Sequence, residues 1–122
     1  MGKGKLIALG VAFALVALGV YSFSISQQPG DYDEFAKCLT ENDVKMWGAY
    51  WCPACAQQKD IFGRSFKFVT YIECAESRSS QTQFCTDNNI ESYPTWEFPD
   101  GSRQTGVLPL TALAQQSGCA LQ

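Results

Sequence analysis

The sequence predicts a mixed α/β domain, a central sheet of parallel and antiparallel strands flanked by helices on both faces, preceded by one N-terminal transmembrane helix. Three observations carry that prediction. Strand-like and helical segments succeed one another in the order α-β-α-β-α-β-β-α, one strand is apolar almost throughout, and an Asp-Gly turn joins the last two strands. A chain of 122 residues holds one domain of ordinary size once its apolar front is set aside.

That front carries Lys3 and Lys5 and then no charge until Asp31. An apolar run of about 20 residues is long enough to cross a bilayer at roughly 1.5 Å per residue. Residues 1–25 therefore read as a membrane anchor, with residues 6–25 in the membrane. A cleaved signal peptide competes, since Ser24, Ile25 and Ser26 offer a small-residue cleavage site. Both readings keep the two lysines inside and export the remainder of the chain. The expected location is thus a single-pass cell-membrane protein whose C-terminal domain faces the periplasm, the thylakoid lumen or another exported side, or a secreted protein if the segment is cleaved.

Residues 26–30 form a polar, turn-prone linker, and the folded domain is expected over residues 31–122. Asp31 with Glu34 three later resembles a capping box, and Phe35, Cys38 and Leu39 fall at helical spacing, which predicts a helix over 32–40. Residues 44–51 are apolar except for Lys45, as in a strand covered on both faces. Over 55–66, Ile61, Phe62 and Phe66 are spaced to pack inward, and Gln57, Gln58, Lys59 and Asp60 to meet water. The alternating, aromatic and β-branched stretch 66–73 predicts a second strand, with a short helix after it near 81–88. Strands at 95–98 and 103–107 flank Asp100-Gly101 as a hairpin, and Leu110, Leu113 and Ala114 mark a last helix with Gly118 as its C-cap.

Charge narrows the function. Beyond the anchor seven Lys or Arg face twelve acids, a net charge of −5, so a nucleic-acid partner is not expected: the phosphate neutralisation that drives such binding is missing. All six cysteines lie in the exported part, where an oxidising compartment favours disulfides.

Chemistry concentrates at Cys52-Pro53-Ala54-Cys55, placed between a strand and a helix. At a helix start a thiolate meets unpaired backbone N–H groups and the positive end of the dipole, so Cys52 is the candidate nucleophile, at an exposed tip. Cys55 lies one turn along the same face, where it can attack a mixed disulfide at Cys52 and release the partner. Pro53 fits the first turn because its missing N–H has no helical partner there. The same spacing supplies half of many zinc sites, but the chain has no histidine and no second CxxC, so no metal and no cofactor are expected. The absence of histidine also rules out a Cys-His protease mechanism. Trp51 precedes the pair and is a candidate hydrophobic contact for substrate, whereas Trp47 and Trp96 read as core.

Three stretches, "GAYWCPACAQQKDIFG", "YIEC" and "YPTWEFPDGSRQTG", resemble thioredoxin-like domains, and in particular those fused to or working beside vitamin K epoxide reductase homologues in bacteria and plastids. The resemblance covers roughly residues 31–119. It implies a thioredoxin-like fold and a thiol-disulfide oxidoreductase with Cys52 and Cys55 as its redox disulfide. The implied partners are exported cysteine-containing proteins and a vitamin K epoxide reductase-like membrane enzyme, here necessarily a separate chain. It further implies that Pro94 is cis and faces the pair, with Ser92, Tyr93 and Thr95 forming a substrate-binding edge beside Trp51, Pro53 and Ala54. An ordinary trans proline at a strand start is the alternative.

One departure stands out: where cytosolic thioredoxins carry a buried Asp six residues before the first cysteine, this chain has Met46, which weighs against efficient reductant behaviour. The resemblance also implies an extra disulfide at Cys74 and Cys85, as a structural staple or as a second redox pair relaying electrons; free thiols are the remaining option. Cys38 faces inward from the first helix and Cys119 comes just after the last, so a bond between them would tie the ends of the domain, two buried thiols being the alternative. The functions in play are an oxidant of exported proteins, a tethered reductant, and a non-catalytic binding module stapled by three disulfides.

Overall fold

The computed structural model describes residues 2–122. Its first element is a helix, α1 (Lys3–Ser26), whose described apolar side chains, such as Leu9, Phe13 and Leu18, are exposed. Its mean hydropathy reaches 2.3, and it is long and apolar enough to cross a membrane. The polar segment 27–30 comes next.

The rest of the chain folds as α2 (Asp33–Glu41), β1 (Lys45–Gly48), α3 (Pro53–Phe62), a 3-10 segment (Gly63–Phe68), β2 (Thr70–Glu73), α4 (Gln83–Asp87), β3 (Thr95–Glu97), β4 (Arg103–Thr105) and α5 (Leu110–Ser117). The strands form one mixed sheet in the order β2-β1-β3-β4. β1 runs parallel to β2 and antiparallel to β3, and β3 pairs antiparallel with β4. The mixed α/β class read from the sequence is the one observed.

Alternation along β1 separates two cores, because successive side chains leave a strand on opposite faces. Met46, fully buried, joins Phe35, Leu39, Phe62, Trp96 and Leu113 in the larger cluster, to which α2, α3 and α5 contribute. Trp47 points the other way, into a small cluster with Cys74, Cys85 and Ile90 under α4. Gly118, at φ 74, closes α5 in the left-handed conformation that glycine adopts without a Cβ clash.

Several local expectations are corrected. α2 begins at Asp33, and Asp31 makes no capping bond; instead Asp33 accepts hydrogen bonds from the Gly30 N–H (3.1 Å) and the Ser65 hydroxyl (2.8 Å), while Ser65 Oγ accepts from Tyr32 N–H (2.8 Å). A partner 32 residues away in sequence thus displaces the local cap. The strand expected over 66–73 keeps only its second half, since Phe66 and Phe68 belong to the 3-10 segment, with Phe66 edge-on to Phe62 and Tyr71.

Gln58 is the clearest reversal. Expected to meet water, it is fully buried: its amide donates to Leu108 O (3.0 Å) and accepts from Trp96 Nε1 (3.1 Å) and Leu108 N–H (2.7 Å). A buried side-chain amide is stable only with its donors and acceptor paired, and Gln58 finds those partners on β3 and the α5 approach.

Candidate functional site

β1 stops at Gly48, and the chain turns through Ala49, Tyr50 and Trp51 into α3, where Cys52 is the N-cap. The turn is closed by Cys52 N–H donating to Ala49 O (3.1 Å). Pro53 occupies the first helical turn, where no N–H is needed. Cys52 therefore has extended backbone (φ −78, ψ 117), and its sulfur takes the role of a capping acceptor, receiving the Cys55 N–H at 3.1 Å.

The expected Cys52-Cys55 bond is not formed here: both are free thiols, with Cys52 capping the helix through its sulfur. Nor does Cys52 stand at an exposed tip. It is only 6% exposed, with the Tyr93 carbonyl 3.7 Å from its sulfur, and Cys55 is fully buried. The surface at this point belongs to Tyr50, Trp51 and Pro53, with Ala54 partly covered. Burial, then the hydrogen bond with Cys52, pushes the Cys55 thiol up to about 12, so it stays protonated at neutral pH.

The Tyr93–Pro94 peptide is cis. The Cys52 thiol points at the Tyr93 carbonyl across 3.7 Å, and the Trp51 and Tyr93 rings meet edge to face at 5.9 Å, so the turn before α3 and the segment before β3 share one surface. Ser92 is exposed and Tyr93 half-buried on that surface. Pro94 and Thr95 are not: both are buried, Thr95 Oγ1 donates to Ser92 O (2.7 Å), and Pro94 O accepts from Gly106 N–H (2.8 Å). Thr95 can thus shape the edge but not reach a ligand with its side chain.

Two residues that the local sequence pattern does not single out lie beside the pair. A Cβ at Gly48 would stand 3.0 Å from Cys55 Sγ, 2.8 Å from Tyr71 Cε2 and 3.2 Å from Tyr71 Oη, so the buried thiol and the phenol flank a space that only glycine leaves open. Tyr71 Oη donates to Glu73 Oε2 (2.8 Å), and Glu73 Oε1 accepts from Tyr50 N–H (3.0 Å) and Ala75 N–H (2.9 Å). Burial and the Glu73 carboxylate hold the Tyr71 hydroxyl well above the usual phenol range. The signal for both is register: in a strand parallel to β1, Tyr71 pairs with Met46 and Glu73 with Gly48, on the face that α3 covers.

The other four cysteines form Cys74–Cys85 and Cys38–Cys119. Cys74 and Cys85 are fully buried in the small core. Among the described residues no group of three or more Cys, Asp or Glu is arranged to hold a metal ion.

No protein-family model matches the chain. It is 33% identical over 112 residues to the thiol-disulfide oxidoreductase LTO1 of Arabidopsis thaliana, an alignment covering 87% of this chain and 30% of that protein. The chain thus spans under a third of the curated relative it matches. Thioredoxin O2 from Arabidopsis thaliana, solved in the oxidized state, overlays with a TM-score of 0.36 at 14% identity, over 72% of this chain and 86% of that one.

Proposed function

We propose that this chain is a membrane-anchored thiol-disulfide oxidoreductase that exchanges disulfides with exported proteins through Cys52 and Cys55. The observation that carries the reading is Cys52 at the cap of α3, receiving the Cys55 N–H at 3.1 Å and facing the carbonyl before the cis Pro94 at 3.7 Å. A substrate thiolate attacks Cys52 of the oxidised pair, Cys55 leaves carrying the electron pair, and a second substrate thiolate then displaces Cys52 to complete the new disulfide. The relative's name, thiol-disulfide oxidoreductase, supports the same chemistry.

The direction we propose is oxidation of the substrate. A helix cap that donates to the Cys52 sulfur stabilises the reduced pair, and a stabilised reduced form makes the disulfide the stronger oxidant. A vitamin K epoxide reductase-like membrane enzyme is proposed to reoxidise the pair, with α1 holding the domain at the exported face of the same membrane. That coupling rests on the sequence resemblance alone.

The test is a trap. A Cys55→Ser chain keeps the nucleophile but cannot resolve, so it should accumulate mixed disulfides with exported proteins, released by reductant and absent from Cys52→Ser. No trapped partner, with a pair that mild thiols fail to reduce, would establish a stapled binding module instead. The reduction potential sets direction: a value near about −120 mV fits an oxidant and one near about −270 mV a reductant.

A further inference from the structure

We propose that Tyr71 and Glu73 form a proton relay for Cys55, the phenol passing the thiol's proton to and from a carboxylate at the surface. This rests on the reading of Cys52 and Cys55 as the exchanging pair and goes beyond it, because it assigns the step that the buried thiol cannot complete alone.

Cys55 must lose a proton each time it attacks a mixed disulfide at Cys52 and regain one each time it leaves, yet its sulfur has no exposed surface. The phenol of Tyr71 shares with it the space above Gly48, both lying within 3.2 Å of one point. From the phenol the path continues to Glu73 Oε2 at 2.8 Å, and Glu73 is exposed. Its other oxygen is pinned by the N–H groups of Tyr50, in the turn leading to Cys52, and of Ala75, so the carboxylate is held in place. The sulfur and the phenol thus border one space, and the phenol's hydrogen bond to the carboxylate leads from that space to the surface.

The charged and titratable groups facing this path are consistent with it. From α3, Lys59 Nζ sits 4.0 Å from the centre of the Tyr71 ring, favouring negative charge as the proton moves. From the segment before β3, Tyr93 feels Glu73, Cys55 and Cys52, and its hydroxyl is held neutral chiefly by burial. Cys52 completes the set. Tyr71 is itself held neutral, so it does not store charge: it takes a proton from one side as it gives one to the other.

In the resolving step the Cys55 S–H proton passes to Tyr71 Oη while the Tyr71 proton passes to Glu73. The Cys55 sulfur forms its bond to Cys52 Sγ, the bond from Cys52 to the partner sulfur breaks, and the partner leaves as a thiolate that takes up a proton from water. In the reverse step Cys55 leaves Cys52 with the electron pair and is protonated along the same path. No further oxidant or reductant enters.

An aromatic disulfide reagent, dithiobis-nitrobenzoate, separates the steps, because the reduced full-length chain releases one coloured thiolate when Cys52 attacks and a second when Cys55 resolves. Tyr71→Phe keeps the ring and the Lys59 contact. Glu73→Gln keeps an oxygen for the two backbone N–H groups but cannot accept a proton. Both variants should leave the first phase within about twofold of wild type and slow the second at least about tenfold at pH 7, the range of general acid-base assistance. The deficit should shrink as pH rises and hydroxide takes the proton directly. A second phase with wild-type rate and pH profile in Tyr71→Phe overturns the relay, as does equal slowing of both phases, which marks a structural effect. Absence of the first phase in the wild-type chain overturns the exchange reading itself.

Discussion

Cys52 and Cys55 are three residues apart yet differ in one physical respect that divides their labour: the sulfur of Cys52 receives an N–H, and that of Cys55 is sealed from water. A folded-state thiol raised from 9.0 to about 12 favours the protonated form, so its contribution to stability is intact below pH 9 and is lost as pH rises towards 12. The unfolding free energy of the reduced protein, read from urea titrations, should therefore begin to fall near pH 9, with a slope approaching about 1.4 kcal/mol per pH unit. In Cys55→Ser that early onset should vanish, leaving only the fall above pH 10 that Tyr71 and Tyr93, both raised by burial, add in the same sense. An unchanged onset in the variant would remove Cys55 as its source. Alkylation at pH 8 should correspondingly label Cys52 and spare Cys55. The pair is legible in the sequence because spacing and the adjoining strand and helix are local properties. Tyr71 and Glu73 stand in the quoted YIEC stretch, but their place beside the pair is not legible there, since only the register of β2 against β1 brings them to it.

Elements match the sequence best where periodicity dominates and worst where a distant partner decides. The face of α3 departs from expectation at Gln58 because a polar side chain normally reports solvent, and nothing local announces that Trp96 and Leu108 will satisfy it. Gln58→Leu should strand the Trp96 indole N–H and the Leu108 N–H and cost about 3 kcal/mol in chemical denaturation, whereas Gln57→Leu on the exposed side should cost little. At the end of β1, Gly48→Ala would press a methyl into Tyr71 and Cys55 together. The expected loss is about 1–3 kcal/mol, as for other overpacked cores. A Gly48→Ala protein as stable as wild type would show that the ring and the thiol have room to part. The start of α2 makes the same point as Gln58: Asp31 has the spacing of a cap, but it is Asp33 that reaches Ser65.

The whole molecule is held by a sheet of four short strands and two disulfides of unequal reach. Cys38–Cys119 bridges a sequence separation of 81 and Cys74–Cys85 one of 11. On chain entropy alone the first stabilises by about 4.5 kcal/mol and the second by about 3 kcal/mol. The Cys38→Ser, Cys119→Ser double variant should thus lower the thermal midpoint at least as far as the Cys74→Ser, Cys85→Ser one, and the reverse order would show that packing in the small core outweighs loop closure. The order of elements and the mixed sheet are readable from pattern. The shortness of the strands is not, because Ala49 and Phe68 leave the sheet for reasons of turn geometry. The long bridge also governs what a protease could do. One cut anywhere between residues 39 and 118 yields two pieces that stay joined, and a cut among the exposed serines at 77–80 falls inside both covalent rings. A nicked chain would therefore run as one species without reductant: a cut at 77–80 frees a fragment only when both bonds are reduced, whereas a cut between 39 and 118 but outside 74–85 is held by Cys38–Cys119 alone, so the bond most remote in sequence guards most of the domain by itself.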